Sequence, residues 1–93
     1  MLETHELLRN GPYLRVMLPD ILPPDWDALE SDLDLELDEG VIGTATIVAP
    51  YHAPPGPIVD AVLRVASFFG RHGVRVRIEP RDDAALIKEA LAG

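Results

Sequence analysis

The alternation of apolar and polar residues divides the chain into short segments of two different periods. In the stretch YLRVML, Leu14, Val16 and Leu18 alternate with Tyr13, Arg15 and Met17, the period-two signature of a strand covered on one face. The preceding segment, LETHELL, predicts a partner strand. Asn10-Gly11 lies between the two and predicts a turn, because both residues tolerate positive φ. Pro12 removes one donor from the ladder such a hairpin would use.

The pattern then changes to a helical period. Pro23-Pro24 interrupts the chain, Asp25 offers a capping carboxylate, and Trp26, Leu29, Leu33 and Leu37 form one stripe of a helix that Gly40 ends. VIGTATIVA follows, β-branched and uncharged, and predicts a central strand. A second helix is predicted over PIVDAVLRVASFFGRHG, with Asp60, Arg64, Ser67 and Arg71 on one narrow polar face. Its apolar arc, Ile58 to Phe69, spans more than half the circumference. The helix is therefore buried on more than one side, or keeps a flank for a partner. VRVRIEP alternates again, with Val74, Val76 and Ile78 inward and Arg75 and Arg77 outward. DDAALIKEALAG predicts a short last helix that buries Ala85, Leu86 and Ala90.

This order predicts one α/β domain over residues 1–93, a mixed β-sheet of about four strands with about three helices mainly on one face. Strands joined through helices run parallel, and the opening hairpin makes the sheet mixed.

Composition narrows the function classes. The chain has no cysteine, hence no disulfide framework and no thiolate nucleophile. A formal net charge of −8 argues against nucleic acid and against an anionic membrane surface. No apolar run approaches the ~20 residues of a membrane span, and no basic-then-apolar signal opens the chain, so the expectation is a cytoplasmic protein. The charge is unevenly placed. Acids accumulate from Asp25 to Glu39 with no Lys or Arg between Arg15 and Arg64, whereas basic residues gather in the last third. Such a division suits complementary protein surfaces, and equally suits a solvated acidic helix.

Several local features resemble the STAS domain, the fold of anti-sigma factor antagonists. LRVMLPDIL resembles the end of the family's opening strand pair, DWDALESDLDLELDEG its first helix, and VIGTATIVA the strand after it. RHGVRVRIEP resembles its helix-to-strand junction. The family's Asp-Ser-Ser/Thr-Gly signature would fall on residues 53–56, where this chain has Ala53, Pro54, Pro55 and Gly56. The nearest hydroxyls are Thr46 and Ser67, so the resemblance implies a member without the phosphorylation switch, which acts by adding roughly two negative charges. It further implies a non-enzymatic module binding a partner protein. The implied partner is an anti-sigma factor kinase, a stressosome-like scaffold or a transporter ATPase subunit.

The loop APYHAPPGPIVD concentrates the candidate contact residues Tyr51, His52, Pro54, Pro55, Gly56 and Ile58, with Phe68 on the following helix. Prolines fix φ and hold such a loop in one shape at little entropic cost. They also remove the backbone donors a phosphate cradle needs, which argues against a nucleotide cofactor. His52 has no nucleophile or orienting carboxylate nearby in sequence, and His5, His52 and His72 are too scattered for a metal motif. The expectation is no cofactor, no metal and no enzymatic activity. The plain structural reading of the prolines is that they stop a strand and start a helix. A small-molecule or lipid sensor, with the apolar helix flank as pocket wall, is the alternative from another class. Spare apolar surface on that helix also allows a homo-oligomer.

Overall fold

The computed structural model describes residues 2–50 and 53–80. Four strands and two helices follow in the order β1 (Glu6–Asn10), β2 (Tyr13–Met17), α1 (Trp26–Glu39), β3 (Thr44–Ala49), α2 (Pro55–Arg71) and β4 (Arg75–Pro80). The sheet order is β1-β2-β3-β4, with β1 antiparallel to β2 and the other two pairings parallel. The mixed four-stranded sheet matches the sequence expectation. The described residues hold two helices rather than three, because the helix expected over residues 82–93 lies outside them.

The hairpin turns one residue later than Asn10-Gly11 suggests. Asn10 pairs with Tyr13, so Gly11 and Pro12 form the two-residue loop. Gly11 has φ +61, and the proline ring holds the next φ negative, the sign pattern of a type II′ turn. Proline is harmless there because the second loop residue owes no ladder donor. Its carbonyl instead accepts from Gly43 N at 2.8 Å, anchoring the start of β3.

α1 begins where the sequence places it: the Asp25 carboxylate accepts from Ala28 N at 3.2 Å. Leu29 and Leu33 are fully buried, and Trp26 and Leu37 pack at the edge of the core. α2 starts at Pro55, two residues earlier than the apolar pattern suggests. Its N-cap, Pro54, makes no side-chain cap bond. The omission costs little, because Pro55 and Pro57 have no N–H and Ile58 N already bonds Pro54 O at 3.2 Å.

Both helices pack on the face defined by Leu14, Val16, Ala45 and Ile47, sharing one core with Val62, Val65 and Phe69. At the carboxyl end of β2, buried Asp20 accepts from Leu2 N at 2.6 Å, while Asp20 N donates to Leu2 O at 2.8 Å. That clasp ties the amino-terminal segment to the chain as it leaves the sheet.

α2 ends in a Schellman motif. Val74 N donates to Phe69 O at 3.1 Å, Gly73 N to Gly70 O at 3.2 Å, and Gly73 takes φ +70. Two glycines three residues apart should therefore respond oppositely to a methyl group. Neither has an atom within 4 Å of an added Cβ, so packing drops out of the comparison. Gly73→Ala should destabilise by about 1–2 kcal/mol through its left-handed backbone, and Gly70→Ala, in the helix, should stabilise by about 0.5–1 kcal/mol. Urea denaturation of the two variants checks the opposite signs.

Candidate functional site

In parallel α/β sheets the space beyond the strands' carboxyl ends is where loops and helix starts converge. Here the first turns of α1 and α2 meet at that edge, with Leu22 and Pro23 leading into α1. Between them opens a cleft of about 360 Å³ lined by Leu22, Pro23, Trp26, Pro57, Ala61, Asp60 and Arg64. Its walls are mostly apolar, and the two charged side chains come from one face of α2.

Arg64 organises the cleft. Its guanidinium lies 4.2 Å from the centroid of the Trp26 ring, and Nε and Nη2 donate to Glu30 Oε1 at 3.2 and 3.1 Å. Trp26 and Glu30 are one turn apart on α1, so a single side chain from α2 spans both. The ion pair lies at the surface, with Arg64 53% and Glu30 35% exposed, so its contribution is orientation rather than stability. It holds the indole at a fixed angle to the cleft. Asp60 in the lining and Glu30 on the cleft's arginine give the opening an acidic rim.

The contact residues expected from sequence divide into three groups. Pro54, Pro55 and Gly56 are exposed at the start of α2, next to the cleft. Ile58 and Phe68 are each 5% exposed and belong to the core, so in this fold they support the surface rather than present it. Tyr51 and His52 lie outside the described residues. The broad apolar arc of α2 is accounted for in the same way. Ala61, Val62, Val65 and Phe69 are buried, and Leu63, at 59% exposed, is the large apolar side chain of the helix that faces solvent.

Trp26 and the pair Asp60/Arg64 were each visible as helix-stripe positions, but not as one site. Their meeting depends on α1 and α2 lying side by side, which no local pattern encodes. The chemistry of the cleft fits recognition: an aromatic platform, an arginine already engaged by carboxylate, and a short apolar floor. Gly56 N–H is the one backbone donor among Pro55, Gly56 and Pro57, a poor start for an anion cradle. Among the described residues no group of three or more His, Cys, Asp or Glu is placed to hold a metal ion, and no helix is long and apolar enough to cross a membrane.

No protein-family model matches this sequence, and no curated protein and no solved structure is significantly similar to it.

Proposed function

We propose that this chain is a non-enzymatic interaction module that binds a partner protein at the α1/α2 cleft and the exposed proline turn beside it. The observation that carries this reading is the Trp26–Arg64–Glu30 arrangement, which holds a partly buried aromatic side chain in the wall of an open, mostly apolar cleft. A preset aromatic anchor beside a proline-stiffened turn loses little entropy on binding. The acidic rim selects a partner segment that brings an apolar anchor flanked by Lys or Arg.

The STAS-like reading belongs here too. Its support is a mixed sheet in sequential order with both helices on one face, and the cleft beside the position where that family carries its hydroxyl. Ala53, Pro54 and Pro55 stand there instead, so the surface is constitutive rather than phosphorylation-gated. An anti-sigma factor kinase, a stressosome-like scaffold and a transporter ATPase subunit are the partner classes this reading offers, in the cytoplasm.

The test is affinity capture from an extract of the cell in which the gene occurs. Wild type should retain a defined partner, and Pro57→Arg/Asp60→Arg should lose it while keeping its circular dichroism spectrum, since both positions are exposed. Retention undiminished by the double variant, or no defined partner at all, contradicts the proposal. The cleft volume also falls within the range of small-molecule sites, which favours a ligand sensor as second reading. Thermal-shift screening with lipids and metabolites separates the two, because a ligand bound only to the native state raises its melting temperature.

A further inference from the structure

The sheet face opposite the helices carries a charge arrangement that the cleft does not use. By register, Leu8, Arg15, Thr46 and Arg77 form one row across the four strands, and Asn10, Tyr13, Thr44 and Arg75 form the next. These two rows hold three arginines and no acid, in a chain whose net charge is −8. Leu8 and Tyr13 are 55% and 59% exposed, and Arg15, Arg75 and Arg77 are exposed beside them. Arg15 reaches Glu79 of the adjoining row at 3.4 Å, whereas among the described residues no acid pairs with Arg75 or Arg77. In that adjoining row Val48 is buried, flanked in register by Met17 and Glu79, so the exposed cationic area is the half of the sheet remote from the cleft.

The complementary surface is on the same molecule. α1 turns Asp27, Asp34, Asp38 and Glu39 to solvent around an exposed Leu35, with no Lys or Arg on the helix. Its other acids are engaged: Glu30 by Arg64, Asp32 by His5 and Glu36 by Arg9. One copy cannot bring the two surfaces together, because α1 covers the opposite face of its own sheet. Their spacings agree. Asp34 and Asp38 are separated by about 6 Å along the helix axis, and Arg75 and Arg77 by about 6.6 Å along the strand. Contacts from Arg9 to Glu36 and Val41 place the carboxyl half of α1 at the Gly11–Pro12 end of the sheet, the end that carries the arginine rows.

We propose that this chain self-associates head to tail, the acidic ridge of α1 in one copy docking on the arginine rows of the sheet in the next. The occupant lays a helix on a face against which no described helix packs, with Leu35 turned toward Leu8 and Tyr13 on the β1–β2 side of the rows. The contact is heterologous, so copies add in a row rather than stopping at a two-fold dimer. The exposed rows measure roughly 19 Å by 10 Å, which places the contact with weak, transient interfaces. This surface is independent of the cleft, and either proposal can fail alone.

Sedimentation velocity of the full chain, with charge reversal on each surface, decides the matter. In about 20 mM salt, where the screening length is roughly 20 Å, the wild-type average mass should at least double between about 20 µM and 1 mM protein, and should return to monomer in about 0.5 M salt. Arg75→Glu/Arg77→Glu and Asp34→Lys/Asp38→Lys should each be monomeric, with unchanged circular dichroism. Mixed in equal amounts they should associate again, because the intact ridge of one meets the intact face of the other. A wild type that stays monomeric, a variant that still assembles, or a mixture that does not would overturn the proposal. So would retention of a fluorescein-labelled oligothymidylate by wild type that the arginine variant abolishes, since the face would then serve a polyanion.

Discussion

Phe69→Ala is expected to remove a large share of the protein's folding stability. Phe69 is fully buried and sits edge-on to Phe68, with ring centroids 5.8 Å apart. Truncating a buried phenylalanine costs about 3–5 kcal/mol in lost transfer energy and cavity formation. A domain of this length has a total of only about 5–14 kcal/mol to lose. Relaxation is hindered here because the same residue closes α2: its carbonyl accepts from His72 N and Val74 N at 3.0 and 3.1 Å, and buried Val74 completes the turn. Collapse of neighbours into the cavity would have to displace that turn and the start of β4. Guanidinium denaturation should place the variant's midpoint far below wild type. Phe69→Leu, which keeps most of the volume, should lose no more than about 1.5 kcal/mol. Equal losses for the two variants would mean that Phe69 acts by something other than its bulk.

The second large effect is expected at Arg9. α1 carries acids through its last turns and no basic residue there, so the negative end of its dipole is uncompensated by its own sequence. β1 supplies the cation. Arg9 Nη1 donates to the Glu36 carbonyl at 2.6 Å and to Glu36 Oε2 at 3.1 Å, Nη2 to the Val41 carbonyl at 3.3 Å, and Nε to the Gly11 carbonyl at 3.3 Å. One planar group thus ties the hairpin loop, the end of α1 and the approach to β3. Arg9 is only 23% exposed, so its bonds are less screened than those of a surface pair. Arg9→Ala should cost about 1.5–3 kcal/mol, which lowers the melting temperature by on the order of 10 °C. Arg9→Lys should recover little, because an ammonium cannot reach four acceptors spread around a planar fork. Glu36→Gln, which leaves the helix carbonyl in place, should lose less than about 1 kcal/mol. Thermal melts of the three variants test this order, and a full rescue by lysine would show that charge alone is what matters.

These two residues illustrate which features were legible in the chain. The alternation at Leu14, Val16 and Leu18 and the stripe Trp26–Leu29–Leu33–Leu37 are local periodicities, and both elements formed with the expected faces inward. The capping role of Asp25 is equally local. Gly11–Pro12 was misplaced by one residue because two turn-forming pairs overlap, and the cross-strand register chose between them. The start of α2 was misplaced because prolines read as a loop, although two of them fit a first helical turn that owes few donors. Ile58 and Phe68 looked available because the apolar arc of α2 exceeds what one layer covers. In the fold, the sheet, α1 and the α2 carboxyl end take up nearly all of it. Arg9 and the cleft were invisible for a common reason. Arg9 meets Glu36 across 27 residues and Arg64 meets Glu30 across 34, pairings fixed by sheet order rather than by any pattern within an element.

The central claim, that the cleft between α1 and α2 is the binding surface, has a built-in reporter. Trp26 is the sole tryptophan of the chain and lines that cleft, so its emission responds to occupancy of this site. Titration with the captured partner, itself free of tryptophan or selectively silenced by fluorotryptophan labelling, is the direct measurement. The expected result is a saturable blue shift of Trp26 emission in the wild type, lost in Pro57→Arg/Asp60→Arg. Undiminished binding by calorimetry with no change in Trp26 emission would contradict the account and move the interaction to another surface.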